Sequence, residues 1–263
     1  AVEWDGFAAT IGEAHAIEMV ANQYLSHWNL DGLGPDIRYG LAGGKELVQE
    51  NVYSFWQRYD NGDPYPIQDW QIAVEEAHQS LMDSPGHRAN ILNPDHTHVG
   101  VGMAYDANTG EFRVAQEFIN RYVNLDHGVS KVKPGETITI SGQLLQASFD
   151  PIINLAYEPY PQSMSIAALD KTSTYQSPAQ TLDAIPVTVE ANGNFRADIH
   201  LGSDPGLYHI YVWVSIENSE PHAIDWIITV DQSGGSSLAD PSDNTAEVEK
   251  APDFSLSAID GSE

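Results

Sequence analysis

The side chains of this 263-residue chain that could do chemistry are carboxylates and imidazoles: 38 Asp and Glu and 10 His stand beside no cysteine. Such a set can move protons, hold a metal ion through oxygen and nitrogen, or bind a polar ligand. It excludes disulfide frameworks, thiolate zinc clusters, iron–sulfur centres and a cysteine nucleophile. Glu76 and Asp83 stand seven apart, which puts both on one helical face, where plain exposure to water is the simpler reading. His96 and His98, two apart on an extended segment, share a face and could chelate. Ser26 and Ser84 each have a neighbouring His, but no spacing supports a serine triad. His-Glu-x-x-His, Gly-x-Ser-x-Gly and phosphate-loop patterns are absent from the sequence, Gly100-x-Gly102 falls in a strand, and Asp60-Asn61-Gly62-Asp63 reads as a turn rather than a calcium loop.

The elements that must position these groups follow from periodicity. Ile11, Ala14, Ile17, Met19, Val20 and Tyr24 recur at helical steps and predict an amphipathic helix over 9–24. Residues 30–44 read as loop, and Lys45 to Val52 as a short helix leading into Glu50-Asn51. Asp69 is the expected N-cap of a helix over Trp70 to Met82, stopped by Ser84-Pro85-Gly86, with a short helix after it at His87 to Leu92. Two-residue alternation over His98–Ala104 and Phe112–Phe118, around an Asp106–Gly110 turn, predicts a β-hairpin. Helices followed by antiparallel strands make residues 1–124 an α+β domain.

Residues 125–231 show no convincing helix. Runs at 137–141, 152–157, 186–190, 194–199, 208–216 and 223–230, separated by Gly/Pro turns, predict an immunoglobulin-like β-sandwich serving as spacer or interaction module. Residues 232–263 form an acidic low-complexity tail, in which Phe254 to Ile259 alternates like an edge strand and is the candidate contact for a homo-oligomer. Eleven Lys and Arg against 38 acids give a net charge of −27, which excludes a phosphate backbone as partner. No run is long and apolar enough for a membrane-spanning helix. The opening Ala1-Val2-Glu3-Trp4-Asp5 is read as the start of a processed chain, consistent with export.

Several ordered blocks carry a resemblance. They are Val2-Glu3-Trp4-Asp5, Ala14 to Met19, Ser26-His27-Trp28-Asn29-Leu30-Asp31-Gly32, Gln49-Glu50-Asn51-Val52, the run Ser84 to Pro94 with Gly86-His87-Arg88-Ala89-Asn90, and His98 to Gly102 followed by Gln116-Glu117-Phe118. Together they resemble the bacterial branch of the CAP superfamily (cysteine-rich secretory, antigen 5 and pathogenesis-related 1 proteins, or SCP domains) over residues 1 to about 124. The resemblance implies an α-β-α sandwich with an open cleft, in which His27, His87 and Glu50 hold a divalent ion, zinc first. Neutral imidazoles with a carboxylate and open positions suit such an ion. The family's second carboxylate has no counterpart at Leu81 or Ser84, so Asp83 or Glu76 is the candidate additional ligand. The family usually begins with a further helix before the Trp4 region; its absence would uncover apolar surface, and cleavage, truncation or replacement by another segment such as the tail would each account for it. The lack of cysteines suits a prokaryotic origin.

The reading is therefore an extracellular or cell-surface CAP-domain protein whose His/Glu cleft binds a divalent ion, a small ligand, a peptide, a lipid or a glycan, with no organic cofactor. A metal-dependent hydrolase using the same cleft, and a structural subunit assembling through the tail, are the alternatives; binding or structural roles are favoured over catalysis.

Overall fold

A computed structural model describes residues 2–126, 128–145, 148–181, 184–231 and 249–250. Helix α1 (Gly6–Asn22) starts at Asp5, whose Oδ1 accepts the Ala8 amide proton at 2.8 Å, and stops at Gln23, which turns left-handed with φ 57°. It lies on a sheet built from β1 (Glu3–Trp4), β2 (Leu47–Trp56), β3 (His98–Asp106) and β4 (Glu111–Asn120), in the order β1-β3-β4-β2. Alternation in β4 divides the sheet between two layers. Ala115 and Ile119 pack under α1 with Met19 and Ala8, whereas Phe112 and Val114 pack on the other face with Ala73 and Ala77 of α3 (Trp70–Asp83). Asp69 caps α3 through the amides of Gln71 and Ile72, as its sequence predicts, and α4 (Pro85–Ile91) follows directly.

Two expectations are corrected. Lys45 to Val52 is not a helix: from Leu47 the chain enters β2, and all ten residues to Trp56 pair with β4. Val48, Val52, Tyr53, Phe55 and Trp56 favour the extended state, and pairing with the fully buried β4 outweighs the helical spacing of a short stretch. The stretch read as loop contains α2 (Pro35–Leu41), where Pro35 at the first helical position supplies a preset φ.

Beyond the first sheet, β5 (Val123–Leu125), β7 (Thr137–Leu144), β9 (Thr188–Val189) and β10 (Asn194–His200) form one four-stranded sheet in the order β5-β7-β10-β9. A second has the order β6-β12-β11-β8, from β6 (Lys131–Val132), β8 (Phe149–Glu158), β11 (Gly206–Ser215) and β12 (His222–Val230). One core joins them, with Ile138, Ile140, Phe195 and Ile199 facing Ile210, Val212, Ile224 and Ile228. The molecule is thus α+β, and the expected boundary at 124/125 falls inside β5.

Between β8 and β9 the chain returns to the first sheet's helices through a single helical turn, α5 (Ile166–Leu169). Leu169 joins Met19, Tyr24 and Ala115 in one apolar cluster, with Met164, Leu25 and Trp28 packed against it. The Met164 amide donates to Leu30 O at 2.7 Å, and the Ser26 and Thr172 hydroxyls meet at 2.6 Å. This segment covers apolar surface of α1 and β4. Of the tail, Glu249–Lys250 (β13) pairs antiparallel with β3 opposite Tyr105 and Ala104, and the expected strand at Phe254–Ile259 lies outside the described residues. Among the described residues no helix is long and apolar enough to cross a membrane.

Candidate functional site

Glu50 on β2 and Glu117 on β4 are directly opposed in the sheet and face α1 and α2. Like charges in that position repel across a strand pair, so something must neutralise them. Arg38 of α2 does so for Glu50: its Nη2 donates to Glu50 Oε2 at 2.5 Å and lies 3.9 Å from Glu117 Oε1. Its Nη1 donates to the carbonyls of His27 (2.6 Å) and Leu33 (3.1 Å), fixing the loop that carries His27. The other oxygen of Glu50 accepts from His27 Nδ1 at 2.8 Å. His15 of α1 lies beneath, donating through Nε2 to Ser26 O at 2.8 Å, with the same nitrogen 4.0 Å from Glu50.

These contacts set distinct protonation states. Burial opposes ionising Glu50, but Arg38 and then His15 and His27 overcome it and hold the carboxyl at about 2. Glu117 is fully buried, and neither of its oxygens has a hydrogen-bond donor. Burial first, and then the charge on Glu50, push its pKa well above the ordinary carboxylate value. The pair therefore shares one proton, carried by Glu117. Burial and Arg38 push His15 down to about 3, so its imidazole is neutral. His27 alone of the two rings lines the cleft; its Nδ1 is held by Glu50, which leaves Nε2 as the nitrogen not tied to Glu50.

His87, on α4, lies across the edge of β2 from this group. It is half-buried, and burial and then the neighbouring His27 lower its pKa. Its carbonyl accepts from Asn51 Nδ2 at 3.2 Å, tying α4 to β2. The sequence-derived set His27, Glu50 and His87 does not place three ligand atoms within 4.8 Å of one another, unlike the buried group Asp36, His209 and Asp225. Both oxygens of Glu50 are already engaged, one by the cationic Arg38, so this set does not fit a divalent ion as arranged. Asp83 and Glu76 are exposed, and Asp83 accepts from Gln79 within α3. His96 is a packed ring: it stacks on Phe118 at 5.0 Å, with Asn120 2.8 Å from Nδ1 and Asn90 3.0 Å from Nε2. His98 faces Thr97 and Glu3 instead.

The open side of the site is a cleft of ≈ 660 Å³. One wall comes from the first sheet and α4, through His27, Gln49, Glu50, Asn90 and Asn93; the other comes from Tyr175–Ser177, Trp213 and Glu220–His222. The two walls are locked together: Asn120 Nδ2 donates to His222 O at 2.9 Å, and the Asp225 amide donates to Lys45 O at 2.9 Å. Sequence reasoning missed Arg38, because its helix was read as loop, and Glu117, whose opposition to Glu50 becomes legible only once β2 is a strand.

The comparisons bear on the first part of the chain. Over 102 residues the chain is 33% identical to YlbC of Bacillus subtilis (strain 168), described as an uncharacterized membrane protein. The match covers 39% of this chain and about a quarter (25%) of that protein's length. Residues 1–118 match the family model described as CAP, the cysteine-rich secretory protein family. The segment 1–118, with helices on both faces of its sheet, thus matches the CAP family, as the resemblance of its sequence blocks implied.

Proposed function

We propose that this is an extracellular or cell-surface CAP-domain protein whose cleft binds a small, uncharged polar ligand, an oligosaccharide before a peptide. The observation that carries this reading is the lining: Gln49, Asn93 and Gln176 bring amides to the cleft, His27 brings its ring, and Trp213 brings the ring face that His222 does not cover, while Asn90 and Asn120 are engaged in holding the walls. Amides with an aromatic platform suit hydroxyl-bearing ligands through hydrogen bonds and stacking, and such a lining disfavours a lipid tail. In this reading residues 125–231 are an immunoglobulin-like sandwich that supplies half of the binding wall as well as spacing. A secretory family and a relative described as a membrane protein both support a location outside the cytoplasm.

Zinc at His27, Glu50 and His87, and hydrolysis through it, would require Arg38 to leave Glu50. Ligand binding requires no such rearrangement and is the favoured role. The test is calorimetric titration of the full chain with a panel of neutral oligosaccharides and short peptides. Binding that is lost in His27→Ala and in Trp213→Ala, with the unfolding midpoint unchanged, is the expected result. Absence of binding to any panel member, or binding indifferent to both substitutions, would sink the reading.

A further inference from the structure

A second cluster of ionisable groups lies where α2 meets the sheet of β8, β11 and β12. Asp36, His209 and Asp225 are each at most 2% exposed, and each offers a ligand atom within 4.8 Å of the others. Asp36 comes from the CAP domain, and His209 and Asp225 come from the second part of the chain. Two buried carboxylates face one imidazole, with the part-exposed Glu158 on its far side, so even a protonated His209 leaves one buried negative charge in excess. Asp225 Oδ2 is buried, finds no donor, and faces the Asp36 carboxylate, with which it can hydrogen-bond only when one of the two carries a proton.

The surroundings are those of a supported ligand set. His209 Nε2 lies 3.0 Å from Glu158 Oε1, the carboxylate contact that orients a metal-binding imidazole and leaves Nδ1 as the ligand. Nδ1 lies 2.9 Å from Asp225 Oδ1. Two ligands of one ion at bond lengths of about 2.0–2.2 Å stand roughly 3 Å apart, so this spacing suits neighbouring coordination positions. Asp36 is oriented by the Ser177 hydroxyl at 2.8 Å, its own helix's Ile37 amide at 2.8 Å, and the Tyr175 hydroxyl.

We infer that Asp36, His209 and Asp225 form a divalent-cation site, of the zinc or manganese class, that clasps the CAP domain to the rest of the chain. One imidazole nitrogen with carboxylate oxygens suits those ions. Binding displaces the proton on His209 Nδ1 to solvent, while Nε2–H remains on Glu158. The site is separate from the cleft ligand and does not depend on it.

The test is metal analysis of the full chain, purified without chelators and dialysed against Zn²⁺ or Mn²⁺, together with its thermal unfolding. One ion per chain is expected, with a midpoint raised by roughly 5 °C or more at saturation. Both effects should survive His87→Ala and disappear in Asp225→Asn. X-ray absorption of the zinc form should show one imidazole nitrogen among oxygen ligands, a signature that stands even if Asp225→Asn fails to fold. A chain that takes up neither ion overturns the assignment and leaves a proton as the bridge between Asp36 and Asp225. An ion ligated by two imidazoles and lost with His87→Ala overturns it equally, by placing the metal in the cleft.

Discussion

Changing Glu50 to an amide would take the nearer anion from the buried Arg38 guanidinium, leaving Glu117, 3.9 Å away, to answer it only by ionising in a fully buried position. Breaking a buried pair from one side costs about 3–5 kcal/mol, so Glu50→Gln should lower stability by that order in urea unfolding. Glu117→Gln should cost under about 1 kcal/mol, because a neutral amide replaces a carboxyl that is already neutral. The reverse ranking would show that the proton sits on Glu50. Acid should act first through the neutral imidazoles of His222, lowered to about 4, and above all of His15. Its folded pKa of about 3 lies below the unfolded 6.5, so its contribution is complete above 6.5 and is lost as pH falls towards 3. Glu50, depressed from 4.5 to about 2, adds its loss only below 4.5. Asp225, raised from 3.8 to about 6, runs the other way, gaining stability as pH falls through that range. The informative quantity is therefore the difference between parent and His15→Gln: the variant's urea midpoint should fall less between pH 6.5 and 4.5. His27 and Glu50 were legible from their blocks in the sequence. Arg38 and Glu117 were not, since their roles arise from a helix inside a Gly- and Asp-rich stretch and from strand register.

Helix α1 approaches the sheet closely enough to require glycine at two points. A Cβ on Gly102 would lie 1.9 Å from the Glu13 amide nitrogen, and one on Gly100 would lie 2.1 Å from that of Ala9. Both obstacles are backbone, which cannot rotate aside. Gly102→Ala should therefore destabilise by about 3 kcal/mol or more, read by thermal unfolding, while Gly62→Ser at an open turn, strained only by φ 90°, should cost about 1 kcal/mol. The Gly100-x-Gly102 spacing, placed in a strand from the sequence, is a packing requirement of the helix above it. Helix α3 was legible because its Asp69 cap and its run of residues agreed, α1 from its periodicity, and the β3–β4 hairpin from alternation around a turn. Strand β2 was misread because its pairing with β4 is set by a partner about sixty residues away, which a local window does not contain.

At the scale of the whole molecule, the cleft owes its second wall to chain that folds back. Leu169 is fully buried among α1 and β4 residues although it belongs to the insertion between β8 and β9. Leu169→Ala should cost about 2–5 kcal/mol and uncouple the two parts, so that calorimetry shows two transitions where the parent shows one. No composition or spacing foretold that docking, because neither side carries a local mark of the other. The edge of β3 has a similar history. Glu3–Trp4 pairs with its beginning and Glu249–Lys250 with its end, so segments about 245 residues apart line one margin. Bare amides and carbonyls there would be a template for a stranger's backbone. By seating two short pieces of its own chain, the protein blunts intermolecular strand addition, and removing residues 249–250 would reopen Ala104 and Tyr105 to it.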